Sequence, residues 1–207
     1  MPSILLIRHG ENEYVKKGKL AGRLPGVHLN EKGVKQAEAV AKYLEEMPVK
    51  AVYSSPLART METAKPIAAV HKLKVVKRPG LIEMDYGGWE DKSLKQLRRR
   101  KLWKTVQNAP SRMRFPEGES FAEAQQRIAT ELETLVGMHK DRDLIVCVGH
   151  SDMIKLALAY YMGLALDNFQ RIMVSPASIS TVHLSANHSF IANVNQRVQL
   201  LDEKAQK

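Results

Sequence analysis

The sequence predicts an α/β fold: a three-layer sandwich with a mostly parallel central sheet, helices on both faces and a small helical cap insertion. Three observations carry that expectation. The first is size and composition: 207 residues, 44% hydrophobic and 26% charged, with 12 Gly and 9 Pro, suit one domain with a well-buried core. The second is that three units run in the same order, a short apolar run, a polar loop and then a helical pattern, which is how a parallel sheet covered by helices is built. The third is that no period of 20 to 50 residues repeats, which excludes solenoids and propellers.

The elements follow in order. Residues 3–8 read as the first strand. Asn30 caps a helix over 31–47, with Val34, Ala37, Val40, Ala41 and Leu44 on one face, and Pro48 stops it. Residues 51–53 are the second strand, followed by a helix over 57–71 and a short strand at 74–76. The insertion, at about 91–140, carries helical patterns over 93–107 and 120–138, joined by a loop with Pro110 and Pro116. It is tied too closely to its flanks to stand alone, so 1–207 reads as a single domain. Residues 144–148 form the most hydrophobic strand, bounded by Gly149, and its helix covers 153–162 with Gly163 at the C-cap. Strands at 171–174 and 179–184, an edge strand at 191–194 and a mobile polar tail over 202–207 complete the prediction.

Several function classes drop out. Cys147 is the only cysteine, so no disulfide forms within the chain, no cysteine-based metal site assembles, and a buried small hydrophobe is its expected role. No apolar stretch reaches the ~18 residues of a membrane helix; the longest, 153–166, is broken by Lys155. No basic residue precedes the apolar residues 4–7, unlike a signal peptide, so a cytoplasmic location is expected.

The charge of +10 favours anionic partners. Between 92 and 114 the chain carries Lys92, Lys95, Arg98, Arg99, Arg100, Lys101, Lys104, Arg112 and Arg114 without an acidic residue. That run is open to three readings: a solvated helical face, the commonest; a nucleic-acid groove with Trp103 stacking, less favoured; or a positive rim around a pocket for a phosphorylated substrate.

In open parallel sheets ligands bind beyond the carboxyl ends of the strands. There the chain places Arg8-His9-Gly10, Ser54-Ser55-Pro56 with Arg59 one helical turn on, and Gly149-His150-Ser151, while the loop over 81–90 adds Glu83. Guanidiniums grip phosphate oxygens in bidentate geometry at any physiological pH. A histidine beside them suits a nucleophile, a second one a donor, and a carboxylate of raised pKa a general acid and base. Each residue alone has an ordinary reading: a hydrogen-bonded strand-end histidine, a surface arginine, a solvated glutamate. Their joint occurrence at strand ends favours a phosphoryl site.

The ordered set Leu6-Ile7-Arg8-His9-Gly10-Glu11, Gly22, Leu29-Asn30-Glu31-Lys32-Gly33 with Gln36-Ala37, Tyr53-Ser54-Ser55-Pro56-Leu57-Ala58-Arg59 with Thr63-Ala64, the segment 83–90, Glu117-Gly118-Glu119-Ser120, and Val148-Gly149-His150 with Ile154 resembles the histidine phosphatase superfamily over nearly the whole chain. The resemblance implies that His9 becomes phosphohistidine, that Arg8, Arg59 and His150 surround the phosphoryl oxygens, that Glu83 is the proton donor, and that neither metal nor cofactor is needed. Asn12, Gly22 and Ser151 join the substrate-binding set. Departures are Asn12 where members often have Thr or Ser, Val15 where they have Asn, Ser151 where glycine is common, one extra residue in 23–28 and a short insertion. The expected activity is metal-independent hydrolysis of a small-molecule phosphomonoester through phosphohistidine on His9. The alternatives are a cofactor-dependent phosphoglycerate mutase and, from another class, a non-catalytic binder of phosphorylated ligand or nucleic acid. A small phosphorylated metabolite is the expected partner, without a membrane; the oligomeric state stays open.

Overall fold

Side chains alternate across an extended backbone, so one apolar strand feeds two layers. Ile4 and Leu6 face one core while Leu5 and Ile7 face the other. The computed structural model describes residues 1–185 and 187–200; the tail expected over 202–207 lies outside the described residues. Strands β1 (Ser3–Arg8), β2 (Val49–Ser54), β3 (Val75–Lys77), β4 (Leu144–Gly149), β5 (Ile179–Ser185) and β6 (His188–Gln196) form one sheet in the order β3-β2-β4-β1-β5-β6. β1, β2, β3 and β4 pair in parallel, whereas β5 is antiparallel to both β1 and β6.

The helices are α1 (Glu13–Lys16), α2 (Glu31–Leu44), α3 (Ala58–Val70), α4 (Leu94–Leu97), α5 (Leu102–Asn108), α6 (Phe121–Gly137) and α7 (Ser151–Tyr161). α2 and α3 cover Leu5, Ile7, Val52, Val146 and Val148. α6 and α7 cover the opposite face with Ile4, Leu6, Tyr53, Ile145 and Cys147, whose thiol is pushed up by burial. Three layers and a mostly parallel sheet result, as expected. No helix among the described residues is long and apolar enough to cross a membrane.

Four expectations need correction. α2 ends at Leu44, and the chain reaches Pro48 through a turn. Its buried face runs through Gly33, Ala37, Val40, Ala41 and Leu44, leaving Val34 45% exposed. Gly33 holds that face because α2 starts against the β1 loop: a Cβ there would lie 2.0 Å from the Glu11 carbonyl oxygen. The pattern over 93–107 breaks into α4 and α5, separated at the basic residues 98–101. Residues 171–174 form no strand. Ile172 and Val174 are buried and Met173 is 71% exposed, an alternation without a ladder, because both edges of β1 are already paired, with β4 and β5.

Candidate active site

The carboxyl ends of β1, β2 and β4 converge because the three are parallel neighbours. The His9 N–H donates to the Gly149 carbonyl (3.0 Å) and the Arg8 N–H to Ser178 (3.2 Å), so the turn after β1 is held from both sides. Gly10 continues it against α2, where a Cβ would lie 2.5 Å from the Gly33 carbonyl oxygen. This close approach is the physical reason for glycine after His9.

His9 and His150 are both buried, with ring centroids 5.3 Å apart. Hydrogen-bond partners set opposite tautomers. His9 Nδ1 lies 2.7 Å from the Gly10 carbonyl oxygen, which only accepts, so Nδ1 carries the hydrogen and Nε2 the lone pair. His150 Nδ1 lies 3.2 Å from Arg59 Nη2, which only donates, so Nδ1 accepts and Nε2–H donates to Ser55 Oγ at 2.9 Å. Burial, then the positive charge of Arg59, holds both imidazoles well below the usual histidine range and hence neutral.

Arg59 is 1% exposed on the first turn of α3, and Nη2 also donates to the Gly22 carbonyl (2.7 Å). Gly22 has φ +51°, and a Cβ there would strike Glu90. Arg8 Nη1 donates to the Val174 carbonyl at 2.7 Å, the use found for the segment once expected to be a strand. These anchors leave Arg8 Nε, Arg59 Nε, Arg59 Nη1 and Asn12 Nδ2 buried without a partner in the protein, and all three residues line one cavity of about 430 Å³. Asn12 Oδ1 caps α1 by accepting from the Val15 N–H (2.9 Å), which fixes the amide with its NH₂ left over. Buried unpaired donors are costly, and a cluster of them on cationic groups is chemistry for an anion.

Glu83 is 7% exposed, its pKa raised to about 7 by burial and then by the Asp152 carboxylate, against the pull of Arg59 and Arg8. Its Oε1 accepts from the Met84 N–H (2.9 Å), and Oε2 lies 3.7 Å from His150 Nδ1. Ser151 opens α7 and lines the same cavity. Thus His9, Glu83, Arg8, Arg59, Asn12, Gly22 and Ser151 border one space, while His150 is fully buried behind it, in contact with Arg59.

Sequence reasoning missed the supports of this constellation. Asp152 accepts from Tyr86 Oη (2.8 Å) and faces Lys155 Nζ (3.4 Å). Arg23 Nε donates to the Glu83 carbonyl (2.9 Å) and its Nη2 pairs with Glu119 (2.8 Å). Arg127 donates to the carbonyls of Gly80 and Ile82 and pairs with Glu119 Oε2 (2.9 Å), so two guanidiniums clamp the loop carrying Glu83. Glu119 sat in a recognised tetrapeptide, but Arg127 had no local signal: the carbonyls it holds, of Gly80 and Ile82, lie more than 40 positions away.

Most cations of the insertion face solvent. Lys95, Arg99, Arg100, Lys101 and Lys104 are exposed and Arg98 alone of the insertion's cations lines the cavity, while Trp103 is half-buried, stacked on Trp89 (centroids 6.3 Å, 13° apart) and lining the same cavity. Among the described residues, no three His, Cys, Asp or Glu are grouped to hold a metal ion.

The fold and the histidine-arginine pocket define a phosphoryl-handling α/β class, and the chain belongs to the histidine phosphatase superfamily (branch 1), matching it over residues 4–197. It is 29% identical over 197 residues, 94% of this chain and 92% of the relative, to phosphoserine phosphatase 1 of Hydrogenobacter thermophilus. It is also 29% identical to a probable phosphoglycerate mutase of Proteus mirabilis, covering 93% of this chain and 89% of the relative. Among solved structures, phosphoserine phosphatase of Entamoeba histolytica in complex with 3-phosphoglyceric acid superposes with a TM-score of 0.88 at 27% identity, over 97% of this chain and 100% of that one.

Proposed function

We propose that the chain is a phosphatase that hydrolyses a small phosphomonoester through phosphohistidine on His9, without a metal ion. The observation that carries this reading is the tautomer of His9: the Gly10 carbonyl pins the proton on Nδ1, leaving a neutral Nε2 lone pair beside buried guanidinium donors without partners.

Nε2 attacks phosphorus, the P–O bond to the alcohol breaks, and Glu83 in its acid form gives its proton to the departing oxygen. The resulting carboxylate takes a proton from water, whose oxygen attacks phosphorus as the P–N bond breaks; inorganic phosphate leaves and Glu83 is again protonated. A pKa of about 7 suits one group to both duties near neutral pH. Arg8, Arg59 and the Asn12 amide hold the phosphoryl oxygens with donors set in advance by Val174, Gly22 and Val15, so little reorganisation accompanies charge development.

The test is phosphate release from p-nitrophenyl phosphate and a panel of phosphorylated metabolites with EDTA present, beside the His9→Ala protein. Release that survives EDTA and vanishes with His9 supports the reading. Bisphosphate-primed interconversion of phosphoglycerates with little free phosphate would replace it by a mutase.

A further inference from the structure

The cavity has a second half that the phosphoryl chemistry does not use. Beyond Arg8, His9 and Arg59 its wall is mixed, with Tyr14, Lys19, Gln107, Lys155 and Gln170 around a carbon patch: Leu20, Leu94 and Trp103 keep part of their surface open, and behind them Trp89, Val106 and Phe115 continue into the core under the cap. The charged groups on that side are largely spoken for. Lys19 pairs with Asp91 at 2.6 Å, Asp152 accepts from Tyr86, and Lys155 sits between Asp152 (3.4 Å) and Gln170 (3.3 Å). Arg98 stands exposed at the mouth. A volume of about 430 Å³ falls in the range of sites for drug-sized molecules and exceeds what a three-carbon alcohol fills.

We infer that the physiological leaving group is an apolar alcohol, alkyl or aromatic, larger than serine or glycerate, seated against Leu20, Leu94 and Trp103. This rests on the phosphatase reading and narrows it. A zwitterionic serine side would desolvate its ammonium and carboxylate against carbon, whereas each buried methylene stabilises the complex.

The experiment compares ethyl, butyl and hexyl phosphate, whose leaving alcohols have nearly equal pKa values, with O-phosphoserine and 3-phosphoglycerate. The expected kcat/KM rises roughly three- to fourfold per methylene, on the order of 10²-fold from ethyl to hexyl, with hexyl phosphate above both polar metabolites. Leu94→Asn should shrink the hexyl-to-ethyl ratio roughly tenfold. Should that variant melt early, Trp103→Ala serves instead. A series flat within about threefold, or a preference for phosphoserine or 3-phosphoglycerate, overturns the inference while leaving a phosphatase.

Binding of the matching alkylphosphonates, which carry no scissile P–O–C bond, separates the two failures. If no ester turns over yet affinity climbs with chain length, the apolar wall stands and hydrolysis falls. If affinity is flat, the wall is refuted whatever the turnover.

Discussion

The two halves of the cavity are made by different means. The phosphoryl half is backbone architecture: parallel strand ends deliver His9 and His150, glycine contacts seat the β1 loop, and main-chain carbonyls orient Arg8, Arg59 and His9. The cap half is side-chain packing, with short helices α4 and α5 presenting Leu94, Leu97, Trp103 and Val106 from a segment held mainly by apolar contact. Carbonyl-anchored donors tolerate no exchange of chemistry, whereas an apolar wall is retuned by a change of volume. A fold divided this way keeps its reaction and changes its substrate.

The expected perturbations rank accordingly. His9→Ala removes the nucleophile and should lower kcat on the order of 10⁴- to 10⁶-fold, with no acid-labile phosphoprotein trapped by rapid quench. Arg59→Ala takes away preorganised donors and should cost roughly 10²- to 10³-fold, read as kcat/KM at saturating ionic strength controls. A cap change at Leu94 that produced losses as large would break the proposed division of labour.

Glu83→Gln removes the acid and base and should cost roughly 10²- to 10⁴-fold with alkyl esters, less with p-nitrophenyl phosphate, whose leaving group needs little protonation. The same variant carries a stability signature. Glu83 titrates near 7 in the folded protein and near 4.5 unfolded, so the folded chain holds the extra proton between those values. That contribution is complete below about 4.5 and disappears as pH rises through 7, on the order of 3 kcal/mol. Glu83→Gln should therefore gain thermal stability over the parent at pH 8 and lose that advantage at pH 4.5. Equal melting shifts at both pH values would refute a buried, proton-retaining carboxyl.

Asp152→Asn has a smaller effect. Removing a carboxylate that raises the Glu83 pKa should move the alkaline limb of the kcat profile to lower pH, with a loss below about tenfold at pH 6. An unmoved limb would mean that burial alone sets Glu83. Smallest is the response of His150. An anion bound by the guanidiniums offsets part of the positive field that helps keep it neutral, so inorganic phosphate or vanadate should raise its pKa, visible in imidazole ¹⁵N shifts.

The layer order, the strands at 3–8 and 144–148 and the convergence of Arg8, His9, Arg59 and His150 were legible in the sequence. Strand ends are local in sequence, and parallel topology alone brings them together. Residues 171–174 misled because a buried-exposed alternation marks any extended segment with one covered side, and a ladder also needs a free neighbouring edge. Val34 misled because apolarity outranked contact: the space at the α2 N-terminus admits Gly33 and nothing larger.

By itself, then, the sequence determined the fold class and which residue types meet at the sheet edge, since apolar periodicity and strand-end chemistry are short-range patterns. Only the tertiary structure decided the protonation of the pair His9 and His150, the raised Glu83, the Arg23–Glu119–Arg127 clamp and the carbon wall under the cap. Those depend on burial, on partners brought in from elsewhere in the chain, and on how the folded backbone turns its own groups: the acceptor 2.7 Å from His9 Nδ1 is the carbonyl of the next residue, Gly10, and its orientation settles what a motif leaves open.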